Sequence, residues 1–180
     1  KIDEIPFDFA RRRLSVIVSD GQKTQMITKG AVEEILGIST MVDYQGNVSP
    51  ITNAIKENIK KITKDLNKQG LRVVAVCQKN NLEKTSEFTV SDEKNMVLIG
   101  FIGFLDPPKE SAKSSIEKLN KNGIRVIVLT GDNVEVTKCI CDKVGIKSPQ
   151  IVIGSQIDKL QDIAVKRLLQ NFLLFKKLVL

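Results

Sequence analysis

The chain has 180 residues, a hydrophobic content of 42% and a formal net charge of +7 from 28 Lys and Arg against 21 Asp and Glu, enough length and apolar content for one ordinary domain or two small ones and too much for a disordered tail. It has no His and no Trp, one Tyr and three Cys (Cys77, Cys139, Cys141). This excludes His-based triads and proton shuttles, leaves aromatic stacking platforms for nucleic acid scarce, and makes the cysteines too few and too oddly spaced for a disulfide framework or a four-ligand zinc site.

In chain order, Leu14 to Ser19 alternates as a strand, Asp20-Gly21 signals a hairpin turn, and Thr24 to Lys29 returns as the partner strand. Gly30 opens a short helix with Val32, Ile35 and Leu36 on one face, and a second turn sits at Gln45-Gly46-Asn47. Thr52 is a good N-cap for a long helix whose Ile55, Ile59, Ile62 and Leu66 form one apolar stripe, with Gly70 as the C-terminal stop. Leu71 to Cys77 is a dense β run, Lys79 to Glu93 a polar loop, and Met96 to Phe104 a buried strand.

The rhythm then changes. Ser111 to Asn122 reads as a helix ended by Gly123, and Ile124 to Leu129 is an apolar β-branched run of the kind covered on both faces. Val134 to Val144 is a helix ended by Gly145, Ile151 to Ile153 a short strand, and Asp158 to about Gln170 a helix; the end of the chain adds a further buried strand. Helix–strand–helix–strand order predicts a parallel sheet. The expected fold class is α/β: an antiparallel sheet flanked by helices in residues 1–105, then a partial parallel α/β domain in 106–180, with Asp106-Pro107-Pro108-Lys109 stiffening the junction. No apolar run reaches the about 18 residues a membrane span needs. Lys1 opens in polar sequence without an initiating Met, which reads as a piece cut from a longer protein.

Several residues can carry chemistry. Thr130-Gly131-Asp132 follows the carboxyl end of a strand, the edge at which open α/β sheets bind ligands, and free N–H groups at the next helix start favour an anion. Asp132 either sits near a metal–phosphate or only caps that helix, with Glu135 completing a capping box. Lys29 on a strand rim can meet an anion, and Gly30 leaves room for a flat ring to approach the backbone. Phe9 is either a stacking ring, with Arg11 nearby for phosphate, or a core side chain, and Arg72 either reaches a phosphate or is an exposed strand residue. No Walker loop, Rossmann glycine triplet or zinc spacing is present.

Taken in order, five segments resemble the cytoplasmic ATP-handling region of P-type cation-transport ATPases: Ile5-Pro-Phe-Asp-Phe-Ala-Arg-Arg-Arg-Leu-Ser-Val16, Thr28-Lys-Gly-Ala31, Gly70-Leu-Arg-Val-Val-Ala75, Phe104-Leu-Asp-Pro-Pro-Lys109 and Leu129-Thr-Gly-Asp132. The wording of Lys1 to Phe9, Gly70 to Val76 and Ile151 to Ser155 is most similar to bacterial magnesium-importing members. The resemblance implies a nucleotide-binding domain, incomplete at its N-terminus, followed by a partial phosphorylation domain of the haloacid dehalogenase-like type. It implies that Phe9 stacks on adenine, Lys29 and Gly30 line the pocket, Arg72 meets the polyphosphate, and Thr130, Gly131 and Asp132 lie near the transferred phosphoryl group. It also implies ATP and Mg2+ as cofactors, an aspartyl-phosphate intermediate, no nucleic-acid partner, and a cytoplasmic position within a multi-pass protein of the cell membrane. There, the actuator, phosphorylation and transmembrane domains of the same polypeptide would be its partners. The family's Asp-Lys-Thr-Gly-Thr and Gly-Asp-Gly-x-Asn-Asp segments do not occur in these 180 residues, so the piece alone is expected to be catalytically incompetent. Another cation specificity (Ca2+ or H+) and a non-enzymatic α/β nucleotide-binding module are the alternatives.

Overall fold

The structure is a computed structural model that describes residues 1–82, 87–147, 151–157 and 174–176. It divides into two compact units, one of Lys1–Thr63 with Val73–Gly103 and one of Lys64–Arg72 with Phe104–Leu180.

The first unit is built on a seven-stranded sheet of β1 (Asp3–Asp8), β2 (Arg13–Ser19), β3 (Thr24–Gly30), β4 (Ser39–Tyr44), β5 (Asn47–Pro50), β6 (Leu71–Asn80) and β7 (Met96–Leu105), in the order β1-β2-β3-β6-β7-β4-β5. The β1–β2, β2–β3, β3–β6 and β4–β5 pairs are antiparallel, and β4 runs parallel to β7. Strand alternation decides which face is covered. Ser15 and Ile17 of β2 lie opposite Thr28 and Met26 of β3, and all four are fully buried. Ala75 and Cys77 continue the same buried face on β6. Val32, Ile35 and Leu36 of α1 (Val32–Ile38) and Ile59 of α2 (Asn53–Lys68) join this core. The opposite face, with Leu14, Val16, Ile27 and Val76, is only half-buried.

The Asp20-Gly21 turn and the Gln45-Gly46 turn occur as expected, with both glycines and Gln45 at positive φ. The Thr52 hydroxyl accepts from the Ile55 N–H at 3.3 Å, capping α2. The apolar stripe of α2 differs from the sequence reading. Ile62 is 45% exposed, and Thr63 and Asn67 are buried instead. The covered row runs in steps of four residues (55, 59, 63, 67), and a step of three places Ile62 beyond its edge. The strand at 96–105 is buried only at its start: Met96 and Leu98 are covered, while Ile99, Ile102, Phe104 and Leu105 are exposed.

In the second unit, β8 (Val128–Thr130), β9 (Ile151–Ile153) and β10 (Leu174–Lys176) form a parallel sheet in the order β8-β10-β9. The helices are α3 (Ser111–Lys121), α4 (Val134–Lys143) and the short α5 (Gly154–Ile157). Cys141, Val144 and Ile146 are buried against Ala112, Ile116, Val126, Val128 and Ile151. Parallel pairing is as expected, but the run from Ile124 is not a strand covered on both faces. Only Val128–Thr130 makes a ladder, and Leu129 is 62% exposed. Among the described residues β8 pairs with β10 alone, which leaves its other edge without a strand. The helix expected at Asp158 to Gln170 lies outside the described residues.

Candidate functional site

The connection between β1 and β2 is a tight loop with one exposed ring at its tip. The β1–β2 register shifts between Ile5 and Asp8, and the Asp8 carboxylate accepts the Ala10 and Arg11 N–H groups at 2.6 and 3.1 Å. Those backbone hydrogen bonds hold the Asp8 pKa below the ordinary 3.8. The Arg12 N–H donates to the Asp8 carbonyl at 2.7 Å, and Arg12 closes the turn at φ +49°. Phe9 is left 87% exposed, so it is not a core side chain. Its ring meets Phe7 edge-to-face, with centroids 5.2 Å apart. Phe7, half-exposed near the end of β1, is a second ring of this segment, and its position two residues before Phe9 is its sign in the sequence.

The Arg11 side chain is turned inward, onto Glu93. It is largely covered, with Nη1 donating to both Glu93 carboxylate oxygens at 3.0 and 2.8 Å and Nη2 to the Pro6 carbonyl at 2.8 Å. Glu93 also accepts from Arg13 Nε and from the Ser15 hydroxyl, each at 2.7 Å, and Ser15 shares a hydrogen bond with Thr28. Burial pushes the Glu93 pKa up, but the hydrogen bonds from Ser15, Arg13 and Arg11 outweigh it and hold the group below 4.5. Nothing local in the sequence around Glu93 marks it, because its partners lie about eighty residues away.

Lys29 and Gly30 end β3 beside this loop. Arg13 lies opposite Gly30, Leu14 lies opposite Lys29, and the Ala31 N–H donates to the Arg12 carbonyl at 3.0 Å. Lys29 is exposed, on the same half-buried sheet face as Ile27. Gly30 is not a cradle for a flat ring. A Cβ there would stand 2.5 Å from Arg13 Cβ and 2.6 Å from the Arg12 carbonyl oxygen, so the space is taken by the adjacent strand. A depression of about 420 Å³ lies at the opposite end of the hairpin, lined by Ser19, Asp20, Lys23 and Asn80 among others. It contains none of the expected site residues.

Arg72 and the Thr130-Gly131-Asp132 loop belong to the second unit. Arg72 Nη2 donates to the Asp132 carboxylate at 2.8 Å, and Nη1 lies 3.6 Å from the Asp106 carboxylate. The Thr130 hydroxyl accepts the Asp132 N–H at 3.0 Å. The cap of α4 is Asn133, whose side chain accepts from the Glu135 N–H at 2.8 Å. The capping-box reading of Asp132 is therefore corrected, since its carboxylate is drawn to Arg72. A Cβ on Gly131 would meet nothing within 4 Å. Among the described residues no three His, Cys, Asp or Glu side chains are grouped to hold a metal. Asp106 and Asp132 are both turned onto one guanidinium, so this donor set does not fit a protein-held Mg2+.

Residues 1–111 match the family model "P-type ATPase, cytoplasmic domain N". The chain is 42% identical over 179 residues, 99% of its length, to "Magnesium-transporting ATPase, P-type 1" of Escherichia coli (strain K12), and equally to the protein of that name from Salmonella typhimurium (strain 14028s / SGSC 2262). It is 29% identical over 164 residues, 90% of its length, to "Calcium-transporting ATPase 1" of Bacillus cereus, of which it covers 18%. The chain spans 20% of the length of the magnesium-transporting relatives. Among the described residues no helix is long and apolar enough to cross a membrane.

Proposed function

The chain belongs to the P-type ATPases, with the family's cytoplasmic domain N in residues 1–111, and on that premise we propose that it is the ATP-binding part of a cation transporter that moves Mg2+. Residues 1–105 then form the nucleotide-binding domain and 106–180 part of the phosphorylation domain. ATP, when bound, supplies the phosphoryl group, and the aspartate that accepts it lies elsewhere in the polypeptide, within a protein of the cell membrane whose cytoplasmic side carries this region. Magnesium as the cargo rests on the names of the relatives at 42% identity. Mg2+ would arrive with the nucleotide and supply charge neutralisation at its phosphates; among the described residues no three carboxylates are grouped to hold it.

The observation that carries the nucleotide reading is Phe9, an exposed ring on a loop fixed by backbone and side-chain hydrogen bonds. An exposed aromatic ring held in place offers a purine a face with little ordering cost. Lys29, exposed at the neighbouring strand end, is proposed to line the pocket and meet the bound anion. Gly30 contributes by letting β3 press against the Arg12–Arg13 backbone. Arg72 is proposed as a phosphate contact and Thr130, Gly131 and Asp132 as the loop near the transferred group.

NMR titration of the chain with ATP, with and without Mg2+, tests this. Binding is expected at about 0.1–1 mM, the range for a ligand held by few contacts. Phe9→Ala is expected to weaken it more than withdrawing Mg2+ does. Equal affinity of the Phe9→Ala protein would remove the adenine assignment.

A further inference from the structure

We propose that Glu93 is the positioning residue of the nucleotide loop: its buried carboxylate fixes the segment that presents Phe9. This rests on the nucleotide reading above.

Phe9 touches Phe7 edge-to-face, but its ring is 87% exposed, so that contact alone anchors the loop little. The turn made by Asp8 is exposed, and its hydrogen bonds compete with water. The deep attachment is elsewhere. Glu93 is fully buried and receives Arg11, Arg13 and Ser15 at 2.7 to 3.0 Å. Arg11 follows Phe9, and the Pro6 carbonyl that takes its second nitrogen precedes it. One guanidinium thus ties both ends of the loop to one anion. Arg13 adds a second attachment to the same anion at the start of β2. Charge-assisted hydrogen bonds of this length in a covered site are strong and directional, and removing the carboxylate takes away the near partner of both guanidiniums, leaving Arg11 only the longer ionic contact with Asp8 at 3.9 Å and Arg13 that with Glu34 at 3.8 Å. Such a device sets the geometry of a binding ring in advance, so its loss is read in ligand affinity.

The test is NMR titration of adenosine and of ATP against the wild-type chain, Glu93→Gln, Arg11→Met and a core control, Ile17→Val, at a temperature where amide spectra show each protein folded. Kd for both ligands is expected to rise about tenfold in Glu93→Gln and in Arg11→Met, with Ile17→Val unchanged. Adenosine carries no phosphate, so its loss reports the ring and not an anion contact. A folded Glu93→Gln that binds adenosine like wild type overturns the proposal, as does an equal loss in Ile17→Val. If Glu93→Gln does not fold, Arg11→Met decides: weakened adenosine supports positioning, and weakened ATP with unchanged adenosine overturns it. Wild-type protein that binds neither ligand overturns the nucleotide reading and this proposal with it; wild-type binding with unchanged variants overturns this proposal alone.

Discussion

Arg72 and Asp132, sixty residues apart in the chain, meet in a 2.8 Å hydrogen-bonded ion pair in the second unit. The two residues were expected to serve different parts of one reaction, Arg72 the phosphates and Asp132 the transferred group. On the proposed role of Arg72 as a phosphate contact, this pairing would set Asp132 against the phosphate for the guanidinium. Asp132→Asn is therefore expected to tighten ATP by about two- to fivefold while leaving adenosine unchanged, the gain from releasing a partly exposed ion pair. Combining it with Arg72→Gln should abolish the gain. Unchanged ATP affinity in Asp132→Asn, measured by the same titration, counts against Arg72 as a phosphate contact.

Two glycines give opposite signs. At Gly30 a Cβ would meet Arg13 Cβ and the Arg12 carbonyl at 2.5 and 2.6 Å. The obstacles are the neighbouring strand, so Gly30→Ala must part β2 from β3 and is expected to destabilise the chain by about 1–3 kcal/mol. At Gly37, near the end of α1, a Cβ would meet nothing within 4 Å and the backbone is not left-handed. Gly37→Ala is expected to stabilise by about 0.4–1 kcal/mol through the unfolded chain. Urea denaturation of both variants checks the contrast.

What was legible in the sequence was local. The hairpin at Asp20-Gly21, the cap at Thr52 and the parallel pairing after Pro108 follow from turn chemistry, side-chain capping and element order. The roles expected of Gly30 and Arg11 were not legible as a geometry. Gly30 serves the packing of its own strands, and Arg11 serves Glu93. The cap of α4 is Asn133 because the helix begins at Val134, one residue later than a cap at Asp132 requires, and Asp132 pairs with a distant guanidinium instead. Each miss turns on a partner far away in sequence, which no window of neighbouring residues contains.

The cysteines should differ in reactivity. Cys77 is fully buried, and desolvation raises its thiol pKa to about 11; burial also raises that of Cys141. Cys139 is only half-buried. With iodoacetamide at pH 8, mass spectrometry of the peptides is expected to show Cys139 labelled first and Cys77 last. Early labelling of Cys77 would mean that the β3–β6 face opens readily.

The Glu93 cluster also sets a pH dependence. Its pKa in the folded chain lies below the ordinary 4.5, despite burial that acts the other way, because Ser15, Arg13 and Arg11 stabilise the anion. A carboxylate depressed on folding adds stability that is complete above the unfolded pKa and is lost as pH falls through the folded one. Stability should therefore hold steady from neutral pH down to about 5 and drop below 4.5 as protonation removes the charge that Arg11 and Arg13 share. Asp8 and Asp20, also held low by backbone hydrogen bonds from Arg11 and Lys23 respectively, lie in the same acid range. Their bonds are exposed, however, and Glu93 is buried between two guanidiniums. Glu93→Gln should consequently be less stable at pH 7 and show a shallower acid slope than wild type, while Asp8→Asn should keep most of that slope. Urea midpoints from pH 3 to pH 7 measure it, and an acid slope that survives intact in Glu93→Gln would place the responsible carboxylates elsewhere.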